Sequence, residues 1–81
     1  LDNEELERLF LWSEEEFNEK TAGSAIKRAG YEGWLRNIAV ALGNAEKNLK
    51  IANVLLQKKG LSSLVDEHIN WALSQHYKDP I

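Results

Sequence analysis

The sequence predicts an all-α fold of about five helices, and three observations lead to it. Apolar residues recur at i, i+4, i+7 and i+8 in two long stretches, first Trp34, Ile38, Ala41 and Leu42, then Val65, Ile69, Ala72 and Leu73; that spacing lines one side of a helix. The only proline is Pro80, so nothing breaks a helix before the last residues. Gly23, Gly30, Gly33, Gly43 and Gly60 read as punctuation between segments.

The first helix is expected over 3–10, with Leu6, Leu9 and Phe10 on one side. The second opens at Ser13, which with Glu16 forms Ser-x-x-Glu, a capping box, and Phe17 is its apolar anchor. Trp12, just before that cap, suits a hydrophobic staple. Residues 21–24 read as a loop and 25–29 as a single turn. A third helix is expected over 31–42, ended by a left-handed Gly43. Asn44 is placed to cap a fourth over 45–58, which Gly60 stops; its apolar side is Leu49, Ala52, Leu55 and Leu56, broadened by Ile51 and Val54. Ser62 or Ser63 caps a fifth over 64–77.

The two long apolar faces match at an offset of 31: Trp34 with Val65, Ile38 with Ile69, Ala41 with Ala72 and Leu42 with Leu73. A helical unit recurring in the range of about 20–50 residues predicts a short HEAT-like stack. A single domain over 1–81 follows: an N-terminal helical pair over 1–22, HEAT-like helices over 23–77 and a frayed tail over 78–81.

Composition excludes several classes of function. The 43% hydrophobic and 28% charged content argues against disorder. The longest apolar run, 38–42, falls far short of the ~20 residues of a membrane helix. The acidic opening Leu1-Asp2-Asn3-Glu4-Glu5 has no signal-peptide pattern, and the absence of an initial Met suggests a piece of a longer protein. With no cysteine, disulfides and thiolate metal sites are excluded within these residues, which fits a cytoplasmic location. The net charge of −3 is unevenly spread. Residues 1–20 set eight acids against Arg8 and Lys20, a net −6. Residues 21–60 set seven bases against Glu32 and Glu46, a net +5, and residues 61–81 carry −2. The middle of an acidic chain is thus a source of local positive field, or else a set of solvated helix faces that balance one another.

No catalytic constellation is present. His68 and His76 lie eight residues apart, about 12 Å along a helix, too far to share a metal. His68 is expected to pack beside Trp71 or to satisfy a buried hydrogen bond. Gly30-Tyr31-Glu32-Gly33 lacks the third glycine and the preceding strand of a dinucleotide fingerprint. Glu14, Glu15 and Glu16 point around their helix and serve its N-terminus. Trp34 and Trp71 read as core. The segment around Lys27, Arg28, Arg36 and Asn37 differs, because it gathers cations and an amide about a helix N-terminus, where backbone N–H groups favour phosphate. Arg adds bidentate contacts to phosphate oxygens, and Asn37 and Asn44 suit sugar hydroxyls or base edges. The alternative is that Arg28 and Arg36 bond neighbouring helix C-termini within the stack.

The run Gly23-Ser24-Ala25-Ile26-Lys27-Arg28-Ala29-Gly30-Tyr31-Glu32-Gly33-Trp34-Leu35-Arg36-Asn37, continuing to Ala45, resembles the C-terminal region of epoxyqueuosine reductases. So do Leu64-Val65-Asp66-Glu67-His68-Ile69-Asn70-Trp71-Ala72-Leu73 and the Trp-Ser-acidic stretch from Trp12 to Phe17. The resemblance implies a non-catalytic, HEAT-like module of a larger oxidoreductase of queuosine biosynthesis, a tRNA modification. The parent would bind cobalamin and two iron–sulfur clusters upstream, and reduce epoxyqueuosine to queuosine at the wobble position of tRNA. This module would help dock the tRNA anticodon arm, with Lys27, Arg28, Arg36, Asn37 and Lys47 as phosphate and sugar contacts, and would hold no cofactor itself. Its other partner would be the iron–sulfur domain of the same chain; no membrane is implied. A structural or protein–protein module without RNA contact is the alternative. Two positions depart from the pattern: Lys27 stands where Arg is common, losing the guanidinium fork, and Asp66 stands where a basic residue is common.

Overall fold

The computed structural model describes residues 2–77. In order these form helices α1 (Asn3–Phe10) and α2 (Glu14–Lys20), a 3₁₀ turn (Ala25–Ala29), and helices α3 (Gly30–Gly43), α4 (Leu49–Leu56) and α5 (Ser63–Tyr77), with no strand among the described residues. The fold is all-α. The expected tail over 78–81 lies outside the described residues.

Local chemistry starts each element. The Asp2 carboxylate accepts from the Glu5 amide at 2.8 Å and caps α1. At α2 both halves of the capping box form: Ser13 Oγ accepts from the Glu16 amide at 3.1 Å and Glu16 Oε1 from the Ser13 amide at 3.2 Å. Ser62 Oγ accepts from the Val65 amide at 3.1 Å and starts α5.

Helix α3 is the centre of the molecule, packing on α5, α1, α2 and the 3₁₀ turn, while α4 fills the space between α5 and α1. One core runs through all five helices, with Phe10, Phe17, Leu35, Leu42, Ile51, Leu55, Val65 and Ile69 wholly buried. The expected face of α5, Val65, Ile69, Ala72 and Leu73, is buried throughout. Its counterpart on α3 is not equivalent: Ile38 and Leu42 are buried, whereas Trp34 and Ala41 are only half-buried. The side of α3 facing inward carries Tyr31, Leu35, Ile38, Ala39 and Leu42.

The N-terminal pair is held on α3 by aromatic contacts. Trp12 stacks on Trp34 with centroids 5.4 Å apart and planes within 10°, and Phe17 tilts against Trp34 at 5.4 Å and Tyr31 at 5.7 Å. Trp34 Nε1 donates to the Leu9 carbonyl at 3.2 Å. The Trp12 carbonyl accepts from the Tyr31 hydroxyl at 2.5 Å and from Lys58 Nζ at 3.0 Å.

Four expectations change. Helix α4 begins at Leu49, not 45, and its cap is Asn48, whose Oδ1 accepts from the Lys50 amide at 2.8 Å. Asn44 instead closes α3, its amide donating to the Val40 carbonyl. Gly43 is helical rather than left-handed: a Cβ there would collide with the Trp71 ring and lie 3.0 Å from Ala72 Cα, so the glycine permits the close crossing of α3 and α5. Trp71 is 40% exposed and covers that crossing from outside. His68 is half-exposed, with Nδ1 2.9 Å from the Leu64 carbonyl of its own helix; the buried histidine is His76.

Candidate nucleic-acid interface

The cations at the start of α3 owe their placement to the 3₁₀ turn. Ser24 Oγ accepts from the Ile26 amide at 3.1 Å and starts the turn; Gly30, with φ +77°, redirects the chain into α3. A positive φ is easily reached only without a Cβ. Lys27 and Arg28 lie exposed on this turn. The Gly30 amide donates to the Lys27 carbonyl, so the N-terminus of α3 is already partly satisfied by the preceding turn. Its positive end is therefore a weaker phosphate site than an open helix start.

Two turns further on, Arg36 donates from Nε and Nη2 to Asn37 Oδ1, each at 3.3 Å. These contacts lie within α3 rather than at a neighbouring helix C-terminus, and they leave the Asn37 amide NH₂ as a donor. Ile26 and Asn37 line one groove of about 310 Å³, together with Leu6, Trp34, Ile38 and Ala41. Lys27 and Arg28 follow Ile26 in sequence, and Arg36 precedes Asn37, so each pair adjoins a residue that lines this apolar depression. Trp34, Ile38 and Ala41 read from spacing as core; Ile38 is buried in the core as well as lining the groove, while Trp34 and Ala41 are half-buried groove wall. Lys47 is not part of this cluster. It lies exposed in the segment after Gly43, past the far end of a 14-residue helix that rises about 20 Å.

Glu32, the acid nearest these cations in sequence, accepts from Ser62 Oγ at 3.1 Å, toward α5. Asp66, where a basic residue was the more usual expectation, accepts from the Gly60 amide at 2.8 Å and holds the turn into α5. Its role is structural, and it adds no positive charge to that end of the molecule.

The segment carrying Lys47 is itself fixed by a residue that periodicity does not reveal. His76, fully buried on α5, accepts at Nδ1 from the Asn48 amide at 3.0 Å and donates from Nε2 to the Leu42 carbonyl at 2.6 Å. Those partners require the Nε2–H tautomer. With both nitrogens engaged, His76 is a staple between α3 and α4, not a metal ligand. Among the described residues no group of three His, Cys, Asp or Glu is placed to hold a metal ion. Iron–sulfur clusters are held by thiolates, and this chain supplies none.

The chain has relatives among known proteins. The chain is 56% identical over 77 residues to an epoxyqueuosine reductase of Pseudomonas aeruginosa, covering 94% of this chain and 21% of that protein. Over nearly its whole length the chain is thus similar to part of an epoxyqueuosine reductase. It is 56% identical over 71 residues to the epoxyqueuosine reductase of Escherichia coli, covering 88% of this chain and 19% of that one. With that of Xanthomonas campestris the identity is 49% over 77 residues, 94% of this chain and 22% of that one. The chain therefore spans about a fifth of the length of these epoxyqueuosine reductases. No family model matches it, and no solved structure does. Among the described residues no helix is long and apolar enough to cross a membrane.

Proposed function

We propose that this chain is the C-terminal, HEAT-like docking module of an epoxyqueuosine reductase, and that it holds the tRNA anticodon arm while the rest of the enzyme reduces epoxyqueuosine to queuosine at the wobble position. One observation supports the reading: Lys27 and Arg28 lie exposed directly after Ile26, and Arg36 bonds Asn37, while Ile26 and Asn37 line one groove and Glu32 bonds Ser62 at the start of α5. In this reading Lys27 and Arg28 meet backbone phosphates and Arg36 and Asn37 meet phosphate or sugar. Lys47, set apart along α3, meets a more distant stretch of backbone. Cobalamin and the two iron–sulfur clusters belong to the part of the enzyme outside this chain, as does the chemistry in the cytoplasm.

A small patch makes few phosphate contacts, so binding by the 81-residue chain alone should be weak and steeply salt-dependent, because counterion release scales with the phosphates neutralised. The test is the affinity of the purified chain for tRNA at two salt concentrations. Arg28→Glu and Arg36→Glu should each weaken binding at low salt without altering the helical circular dichroism spectrum. Arg8→Glu, in the acidic N-terminal stretch, should change little. Wild-type affinity in well-folded Arg28 and Arg36 variants would leave this a structural module with no RNA contact.

A further inference from the structure

We infer that the groove on α3 is a base site: it takes one unpaired nucleobase of a single-stranded RNA segment, whose flanking phosphates lie on Lys27 and Arg28. The inference rests on the docking reading and gives its surface a ligand class. The groove, about 310 Å³, is apolar except for Asn37. This is the usual make-up of a small-molecule site, where apolar walls carry the area and a few polar groups set orientation. Leu6 and Ile26 form walls from separate elements, and Trp34, Ile38 and Ala41 form the surface of α3 between them.

Two features make the site rigid. Trp34 is held by its stacking on Trp12 and by its bond to the Leu9 carbonyl, so its ring does not have to be ordered when a ligand arrives. The Asn37 amide is oriented by Arg36, whose two donors occupy Oδ1. With Oδ1 occupied, the NH₂ is the group Asn37 has to offer a ligand, and it matches an acceptor edge such as a pyrimidine carbonyl or a purine N7.

Charge selects the occupant. Ile26 is 50% exposed at the rim and is followed directly by Lys27 and Arg28. An apolar slot with cations one and two residues from its lip complements an apolar ring joined to an anionic backbone. A duplex offers the anion but keeps its bases stacked inside; a single strand offers both.

The experiment sets two neutral substitutions in the groove, which keep the charge constant, against one charge reversal beside it. Labelled octauridylate and a short RNA duplex are titrated against the wild-type chain and the Ile26→Ser, Asn37→Leu and Arg28→Glu variants, with folding checked by circular dichroism. Octauridylate should bind more tightly than the duplex. Ile26→Ser should weaken octauridylate binding by roughly 5- to 100-fold, the loss that corresponds to one base contact, while leaving duplex affinity and the salt slope unchanged, and Asn37→Leu should weaken octauridylate binding more than duplex binding. Arg28→Glu should weaken both ligands. If the neutral variants bind octauridylate like wild type while Arg28→Glu weakens both RNAs, the base site is refuted and backbone docking stands. If Arg28→Glu has no effect either, both readings fall. A leucine-bearing acidic peptide that binds in an Ile26-dependent way, with no Ile26-dependent RNA binding, assigns the groove to a protein partner and also overturns the inference.

Discussion

Gly43 and His76 show how much a single position can carry without any local signature. Gly43 follows an apolar periodic run and so reads as a helix stop, yet it is helical and lies against Ala72 and Trp71 of α5. Alanine favours a helix interior over glycine by about 1 kcal/mol. Gly43→Ala should nevertheless destabilise the chain, by roughly 1–3 kcal/mol, because the new methyl meets backbone at Ala72 that cannot swing aside. A urea midpoint that rises in Gly43→Ala would show the crossing to be loose. His76 engages a carbonyl and an amide 34 and 28 residues away, and no spacing rule reaches that far. His76→Leu keeps an apolar side chain but leaves the Asn48 amide without its partner and the Leu42 carbonyl with only the Ala45 amide, at about 1–3 kcal/mol for a group left unsatisfied. Equilibrium denaturation should show that loss; unchanged stability would mean that water replaces the ring on both sides.

At the level of elements, legibility follows the range of the interaction. The capping box of α2 and the apolar face of α5 were readable because their determinants lie within four residues or recur at the helical period. Helix α4 was placed too early because Asn44 and Asn48 are the same residue type, and either position suits a cap. Choosing between them takes the His76 bond, which holds the Asn48 amide four residues farther along. Asn48→Ala should therefore cost about 1 kcal/mol of stability, the usual loss of a helix cap, whereas Asn44→Ala should cost little. Thermal melts of the two variants check this, and equal shifts would contradict the assigned cap. The apolar residues of α3 were legible as apolar but not as two surfaces. Tyr31, Leu35, Ile38, Ala39 and Leu42 turn inward, while Trp34 and Ala41, with one side of Ile38, line the groove. Period alone does not say which neighbour a broad apolar face will meet.

For the whole molecule, the proposed docking surface depends on how charge is distributed over the fold. The acidic first 20 residues fold back onto α3 through Trp12, Phe17 and the Trp12 carbonyl, and Lys20 lies over the Trp12 ring with its nitrogen 5.2 Å from the centroid. Lys27 and Arg28, the cations of the 3₁₀ turn, stay exposed. The most direct measurement is steady-state kinetics of the full-length enzyme containing this segment, with tRNA as the varied substrate and Arg28→Glu and Arg36→Glu introduced together. A docking module contributes binding and not chemistry, so KM for tRNA should rise, by about tenfold if each charge reversal removes on the order of 0.7 kcal/mol, while kcat holds, and the difference should shrink as salt increases. An unchanged KM at low salt, in a variant that folds like the wild type, would contradict RNA docking by this module.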